Sequence, residues 1–383
     1  MALTSRQFDA FARRRGLPFL SVHAGPITDY RVEGEHRTLE LARSRAAVPI
    51  DRDMSFDPTL PQRKEEAGRL LKDFRPDVIH ITGPSDIGIL GAWLAHRQRV
   101  PLLASWHTNL HEFAALRLNK LIGFVPAAAR RKVTQFAEDQ ALAICAKFFG
   151  LARVLMAPNQ DLVDLLHKRT GKPVFLMERG ADTVLFDPQK RARTDDVFTL
   201  GFVGRVTPEK GVRALVDVER ALLAAGISNY RFLIVGDGNE REWLRHNLQR
   251  AEFPGVLRGE ELARTYANMD LFVFPSHTDT FGNVIVEAFA SGVPAVVTSH
   301  GGPKFVVESG VSGLVGDRDF AEQAVRIVRD PELHRSMRAA ARAKALSMSW
   351  DRVFEKVYEA YAVCLAPSAR HIKSARLAPS VTR

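Results

Sequence analysis

Two cations follow an apolar run in the second half of the chain. Residues 199–203 lead into Gly204 and Arg205, and Lys210 stands five positions beyond Arg205, next to another glycine. A glycine turn that joins a strand to a helix brings backbone N–H groups together at the helix N-terminus, where they bind anions. Arg205 and Lys210 could therefore bind a diphosphate from two sides. The alternative is an ordinary strand–helix turn with two surface cations.

Two carboxylates stand in a second strand–loop–helix pattern. Residues 271–276 predict a strand, Asp279 lies in the glycine-containing loop after it, and Glu287 falls within the helix predicted over 284–290. Ionised carboxylates only accept hydrogen bonds, so this pair could hold the hydroxyls of a sugar and of a ribose. In the structural alternative, Asp279 caps the helix and Glu287 is a paired helix acid. The spacing leaves both interpretations open.

A third strand pattern, residues 232–235, ends in a tight glycine turn at Gly236 that is typical of a turn facing a nucleotide. Neither this turn nor 199–211 contains a complete G-x-G-x-x-G, so a nicotinamide cofactor is not predicted. Asp-x-Asp spacings occur in a turn-rich segment at 51–53 and again at 317–319, and neither belongs to these motifs, so no divalent-cation site is predicted beside them. The sequence therefore predicts neither a cofactor nor a metal site.

The elements that must position these residues are short apolar strands that alternate with helical patterns over most of the chain. Such alternation indicates parallel sheets with helices on both faces, which is an α/β fold. A chain of 383 residues exceeds the usual size of a single hydrophobic core. Two domains are therefore expected.

Composition narrows the classes of partner. The net charge of +10 would attract phosphates, anionic lipid or nucleic acid. The sequence contains no zinc knuckle, RNP-like aromatic strand or basic helix with heptads, which argues against nucleic acid as a partner.

The location of the protein is predicted from its cysteines and apolar runs. Its two cysteines suit a reducing compartment, and no apolar run is typical of a membrane span or a signal peptide. A cytoplasmic location is predicted.

Two motifs together resemble one enzyme family. Gly-Arg-x4-Lys-Gly at 204–211 and Asp-Thr-Phe-Gly-Asn-x3-Glu-Ala-x2-Ala-x-Gly-x-Pro at 279–294 are similar to the retaining GT-B glycosyltransferases of the α-mannosyl, α-glucosyl and sulfoquinovosyl group, known as family 4 or group 1. The runs at 77–80, 105–108, 179–186 and 301–303 are also family-like. The resemblance extends to about residue 361.

The resemblance implies a GT-B fold, in which two Rossmann-like, doubly wound parallel-sheet domains face a cleft. The expected domains are 1–186 on the acceptor side and 199–345 on the nucleotide-sugar side, joined by a polar linker at 187–198. A C-terminal helix over 346–366 is expected to cross back to the first domain. The basic tail at 367–383 is expected to be disordered.

The resemblance also implies roles for individual residues. The cations would hold the donor diphosphate, the first carboxylate and the histidine would contact the transferred sugar, and the second carboxylate would bind the ribose. The implied catalytic residues are Arg205, Lys210, His107 and Asp279. The implied donor-binding residues are Gly204, Gly236, Phe281, Gly282, Asn283 and Glu287. Retention in this family proceeds on one face of the sugar, with the leaving phosphate helping to deprotonate the acceptor, so no protein nucleophile or metal is required.

The chain departs from the family pattern at three places. Residues 19–23 resemble the second strand of the family's first domain, so a strand, a glycine loop and about 30–40 residues are expected to be missing before it. Asp279 stands where most relatives carry Glu, and Lys304 stands where an acid is common. Lys304 is expected to alter contacts near the donor sugar.

These inferences predict a hexosyltransferase that uses GDP-mannose, slightly favoured, or a UDP-hexose, and that acts on a lipid-linked or saccharide acceptor. One alternative is a non-catalytic nucleotide-sugar-binding or interaction subunit derived from such an enzyme. Another is a nucleotide-sugar epimerase on the same fold, against which the two motifs argue.

A basic and apolar segment suggests where the acceptor is met. Between residues 116 and 132, apolar side chains alternate with Lys120, Arg130, Arg131 and Lys132. This pattern is typical of an interfacial segment on an anionic membrane, and a packed helix hairpin is the alternative. The first interpretation predicts peripheral binding at the inner face of the membrane, which is lost when the four cations are changed to Gln.

Overall fold

A computed structural model describes residues 2–51, 54–109, 118–119, 122 and 126–366. Lys120 and the tail at 367–383 lie outside the described residues. The described residues form two halves, each of which contains a parallel sheet flanked by helices. The predicted α/β class is therefore confirmed.

The first half contains a four-stranded parallel sheet and two smaller sheets. Its strands are β1 (Phe19–Gly25), β2 (Asp29–Glu33), β3 (His36–Ala42), β4 (Val48–Asp51), β5 (Met54–Phe56), β6 (Ile79–Ile81), β7 (Leu102–Ser105), β8 (Val154–Ala157) and β9 (Val174–Leu176). Its helices are α1 (Ala2–Arg14), α2 (Lys64–Phe74), α3 (Asp86–Gln98), α4 (Ala127–Phe149) and α5 (Gln160–Thr170). Strands β6 to β9 pair in chain order and are all parallel.

The two smaller sheets of the first half include antiparallel strands that the sequence pattern does not indicate. Strand β1 pairs with β3 in parallel, whereas β2 pairs with β3 antiparallel, and β4 pairs with β5 antiparallel. Side chains of β2 are mostly exposed. Because an exposed strand carries no apolar run, its sequence is hard to distinguish from a loop.

The second half is a doubly wound sheet. Its strands are β10 (Phe198–Val203), β11 (Tyr230–Val235), β12 (Ala251–Gly255), β13 (Leu271–Phe274), β14 (Ala295–Thr298) and β15 (Gly313–Gly316). Its helices are α6 (Ala214–Ala224), α7 (Arg241–Asn247), α8 (Gly259–Ala267), α9 (Asn283–Ala290), α10 (Pro303–Val306), α11 (Phe320–Arg329) and α12 (Pro331–Ser347). The six parallel strands lie in the order β12-β11-β10-β13-β14-β15. Successive strands are therefore added on one side of β10 first and then on the other, so the strand order reverses between β10 and β13. Ligands of such sheets bind at the carboxyl ends of the strands beside this reversal.

The segment expected to be a linker, 187–198, packs on the second half. It begins with a 3-10 helix, Pro188–Lys190. Arg191 and Arg193 then each contact the buried Asp270 carboxylate at 2.8 Å. Ion pairs therefore bind this segment to the surface of the second half, and it is not a free linker.

The last described helix, α13 (Trp350–Leu365), packs on the first half. Its side chains Trp350 and Phe354 belong to a core cluster with Phe8 of α1 and with Leu103 and Met156 of the parallel sheet. A Cβ on Gly180 would lie 2.5 Å from the Trp350 backbone nitrogen, so the backbones of the segments around residues 180 and 350 are in close contact. The two halves are thus joined both at 180–198 and through α13.

Candidate functional site

A cavity of about 340 Å³ lies at the carboxyl ends of β10 and β13, a volume within the range of roughly 300–1,000 Å³ that small-molecule sites occupy. Thr4, His107 and Arg179 line it from the first half. Residues 203–205, 210, 274 and 279–284 line it from the second half. The lining brings together most of the site residues predicted from the sequence. Gly236 and Glu287 lie outside the lining.

Glycines allow the close-packed turns in and beside the cavity. Gly236 has φ +132°, and a Cβ there would lie 1.9 Å from the carbonyl oxygen of Gly204. The turns after β10 and β11 therefore touch backbone to backbone, which only glycine permits. Gly282 has φ +100° and directly precedes α9, whose N-terminal end faces the cavity.

Lys210 and Asp279 form an ion pair across the cavity. Lys210 belongs to the 3-10 helix Pro208–Lys210 after β10, and its Nζ lies 2.8 and 2.7 Å from the two Asp279 carboxylate oxygens. Arg205 lies closer to solvent, with its Nη2 3.6 Å from Glu209 Oε1. The structure therefore places both predicted cations at the cavity. Asp279 does not cap α9, because the N-cap residue is Gly282.

The loop that carries Asp279 is held from two directions. The Gly302 N–H donates to the Asp279 carbonyl oxygen at 2.7 Å, and a Cβ on Gly302 would lie 2.1 Å from the Thr280 carbonyl oxygen. From the first half, Asn159 Nδ2 donates to that same Thr280 oxygen at 2.6 Å, and Thr280 Oγ1 donates to the His107 carbonyl oxygen at 3.0 Å. The loop thus bridges the two halves. Sequence reasoning missed Asn159, which also caps α5.

His107 lines the cavity, but both of its ring nitrogens are engaged by the protein. Arg179 Nη2 lies 2.7 Å from Nδ1, and Ser105 Oγ lies 2.7 Å from Nε2. Since Arg179 can only donate, Nδ1 must accept, and His107 carries its proton on Nε2. Ser105 then donates to His80 Nε2 at 2.9 Å, and His80 Nδ1 donates to the Tyr361 hydroxyl of α13 at 2.9 Å. Arg179, Ser105, His80 and Tyr361 were not predicted as site residues.

Burial keeps this chain of imidazoles neutral. It lowers the pKa of His80 to about 4 and lowers the pKa of His107 well below its usual value, with the neighbouring Arg179 charge acting in the same direction on His107. The Nε2–H tautomer of His107 is therefore its form at neutral pH. In this form the imidazole accepts from Arg179 at Nδ1 and donates from Nε2 to Ser105.

Glu287 is a half-buried carboxyl on α9 behind the cavity. The Tyr266 hydroxyl donates to its Oε2 at 3.0 Å, so its partner is a phenol rather than a cation. Burial raises the pKa of Glu287 to about 7, and the Tyr266 hydrogen bond opposes that rise. Its protonation state therefore changes near neutral pH.

Lys304 lies away from the cavity lining. Lys304 Nζ pairs with Asp161 Oδ2 of the first half at 2.8 Å, so the structure does not support the expected contact of Lys304 near the donor sugar.

In the part of the chain that the structure describes, three or more His, Cys, Asp or Glu side chains nowhere form a metal-binding group. None of the described helices is long and apolar enough to cross a membrane.

Comparisons with known proteins agree with the fold. Residues 26–185 match the family model described as Glycosyltransferase Family 4, and residues 197–330 match the model described as Glycosyl transferases group 1. The chain is 32% identical over 313 residues to a GDP-mannose-dependent alpha-mannosyltransferase of Corynebacterium glutamicum, covering 79% of this chain and 71% of that protein. It is 27% identical over 307 residues to the sulfoquinovosyl transferase SQD2 of Arabidopsis thaliana, covering 74% and 56%.

Among solved structures, the sucrose-phosphate synthase of Thermosynechococcus elongatus superposes with a TM-score of 0.70 at 21% identity, covering 94% of this chain and 92% of that one. At this identity the superposition supports the fold alone. It confirms the predicted GT-B arrangement of two Rossmann-like domains.

Proposed function

The chain belongs to the glycosyltransferases of family 4 and group 1, and we propose that it transfers a hexose from a nucleotide-diphosphate sugar to a lipid-linked or saccharide acceptor with retention of configuration. The observation that carries this proposal is the placement of Arg205, Lys210 and Asp279 around one cavity at the reversal point of the second sheet. GDP-mannose is the favoured donor, since a relative 32% identical is a GDP-mannose-dependent enzyme. A UDP-hexose is the second candidate.

In the proposed mechanism the donor diphosphate lies against Arg205, Lys210 and the N–H groups at the start of α9. Asp279 accepts hydrogen bonds from hydroxyls of the donor sugar. As the bond between sugar and phosphate breaks, negative charge grows on the leaving diphosphate, and the two cations stabilise this charge more than they stabilise the ground state. The acceptor oxygen bonds to the anomeric carbon on the face that the diphosphate leaves, which retains the configuration, and the leaving phosphate takes the proton of the acceptor hydroxyl.

Ligand-dependent thermal unfolding tests the donor. A ligand that binds the folded protein raises its Tm, so GDP-mannose and GDP are expected to stabilise the protein more than UDP-glucose and UDP do. Failure of all four to raise the Tm would contradict the proposal. Transfer of labelled mannose to membrane lipid extracts or oligosaccharides then distinguishes an active enzyme from a nucleotide-sugar-binding subunit.

Transfer is expected to be independent of divalent cations. Arg205, Lys210 and the α9 N-terminus supply the positive charge that a metal ion would otherwise bring to the leaving diphosphate. The initial rate should therefore be equal in EDTA and in manganese. Complete loss of transfer in EDTA that manganese restores would contradict this prediction.

Donor affinity is expected to rise with pH through the titration of Glu287. In the proposed site Glu287 accepts hydrogen bonds from the ribose hydroxyls, which favour the ionised carboxylate. Because the pKa in the free protein is raised to about 7, binding must release a proton below that pH. Affinity for a nucleotide sugar should increase from about pH 6 to about pH 8. Calorimetric titration measures it, and Glu287→Gln, which cannot titrate, should show a smaller pH dependence. Equal pH dependence in both proteins would rule out this role.

Helix α4 carries a surface suited to lipid. The side chains of Val133, Phe136 and Ile144 are exposed by 48, 66 and 67%, and their spacing puts them on one side of the helix. Arg131 and Lys132 are exposed in the first turns, where the helix dipole disfavours cations, so they do not serve helix stability. Lys132 lies beside these apolar side chains, whereas Arg131 lies on the opposite side of the helix, still within a Debye length of a membrane that the apolar side contacts. We refer to the five residues together as the α4 face. We propose that this face binds an anionic membrane, where a lipid-linked acceptor would be met.

Binding of the α4 face to vesicles is expected to be sensitive to salt and to charge. Arg131→Gln/Lys132→Gln should reduce co-sedimentation with phosphatidylglycerol-containing vesicles at low salt, since each cation near an anionic surface contributes about 1 kcal/mol. Phe136→Ser should reduce it through lost insertion. The matched control is Arg220→Gln/Arg335→Gln, which removes two exposed cations from the second half. Equal recovery of the Arg131/Lys132 variant and this control in the pellet would contradict the membrane role.

A further inference from the structure

Arg179 is a buried cation whose hydrogen-bond acceptors are all neutral within the described part of the chain. Its side chain is 5% exposed. Nη1 donates to the carbonyl oxygens of Met177 at 2.8 Å and Glu178 at 3.1 Å, and Nη2 donates to His107 Nδ1 at 2.7 Å. Burial lowers the pKa of Arg179 to about 10. A guanidinium held in this way, without a carboxylate, costs the ligand-free protein free energy.

The charge of Arg179 borders the cavity already described. Arg179 lines it together with Arg205, Lys210 and Asp279. Lys210 is paired with Asp279, whereas the contacts of Arg179 leave its charge uncompensated. Arg205 Nη2 lies 3.6 Å from the Glu209 carboxylate, so two of the three cations have carboxylate neighbours and the charge of Arg179 remains. The ionised diphosphate of a nucleotide sugar is negatively charged, so such a ligand would compensate the charge of Arg179.

Arg179 also has the hydrogen-bonding capacity that His107 lacks. Both ring nitrogens of His107 are occupied, so its imidazole could bind a ligand only by giving up Arg179 or Ser105. A guanidinium has five N–H groups. Three of them serve Met177, Glu178 and His107, which leaves two for a ligand.

We propose that Arg179 is the residue of the first half that binds the donor diphosphate, as a third cation opposite Arg205 and Lys210, and that His107 positions Arg179 instead of contacting the ligand through its ring nitrogens. This inference rests on the proposed function, because it takes the ligand to be a nucleotide-diphosphate sugar. It explains why an imidazole fixed as the Nε2–H tautomer stands beside a buried guanidinium. Anion binding relieves the cost of burying that charge.

The test is the substitution Arg179→Gln, which keeps donors for the neutral acceptors but removes the charge. We expect the dissociation constants of GDP and UDP, measured by calorimetry, to rise about tenfold or more, as for the loss of a charge-assisted hydrogen bond. The Tm of the ligand-free variant should equal or exceed that of the parent, because an uncompensated buried charge is removed. Arg179→Lys keeps the charge and should bind GDP more tightly than Arg179→Gln does.

The outcomes separate this inference from the proposed function. If Lys210→Ala loses GDP affinity while Arg179→Gln binds GDP within about twofold of the parent, the diphosphate role of Arg179 is wrong and the proposed function stands. If the parent binds neither GDP nor UDP, the proposed function is wrong.

A second measurement needs no variant at Arg179. In ¹⁵N spectra of histidine-labelled parent protein, His107, assigned from its absence in His107→Asn, should remain the neutral Nε2–H tautomer with and without GDP. A change of its tautomer or charge on GDP binding would show that the imidazole receives the ligand, which contradicts the proposal.

Discussion

Replacing Lys210 with alanine is expected to weaken nucleoside-diphosphate binding by about 1.5–3 kcal/mol, or roughly tenfold to more than a hundredfold in Kd. The substitution removes a charge-assisted contact with the diphosphate, and it also leaves the Asp279 carboxylate without the ammonium that lies 2.7 Å away. That unpaired carboxylate would then repel the ligand. Arg205→Ala should weaken binding less, because Arg205 lies closer to solvent, where screening is stronger. Calorimetric titration with GDP and UDP measures both.

A double-mutant cycle separates the two parts of the Lys210 effect. If repulsion by Asp279 contributes, Lys210→Ala/Asp279→Asn should bind GDP more tightly than Lys210→Ala alone, and the coupling energy gives the size of the repulsion. Asp279→Asn by itself should retain GDP binding while weakening the affinity for a nucleotide sugar, since the carboxylate is proposed to hold sugar hydroxyls. Parent-like GDP binding by both Lys210→Ala and Arg205→Ala would show that the diphosphate lies elsewhere.

The fold of the second half could be predicted because its signals are local. Strands such as β13 are wholly buried and read as short apolar runs, and glycines such as Gly236 mark the turns where backbones touch. The Lys210–Asp279 pair was not predicted as a contact, although both residues were predicted to face the ligand. Parallel strands bring distant loops to one edge of a sheet, so the motifs identify the edge without specifying which side chains pair there.

The first half contributes to the site through contacts between residues that are far apart in the sequence. Local sequence patterns do not predict such contacts. Arg179 reaches His107 across 72 positions, and His80 reaches Tyr361 across 281. Asn159 caps α5, and nothing in the neighbouring sequence indicates that it also holds Thr280. Each such side chain has an ordinary structural role of its own. Its role at the site becomes visible only when the second half is placed opposite the first.

A large loss of stability is expected from a substitution in helix α13. Phe354 is fully buried and stacks on Phe8 of α1, with ring centroids 4.6 Å apart. Phe354→Ala should therefore destabilise the first half by about 3–5 kcal/mol, the usual cost of emptying a packed aromatic site. Tryptophan fluorescence during urea unfolding suits the measurement, because three of the four tryptophans lie in the first half or α13. The control on the same helix is Val363→Ala, whose side chain is 43% exposed and should cost no more than about 0.5 kcal/mol. Equal urea midpoints for the two variants would show that α13 does not stabilise the first half.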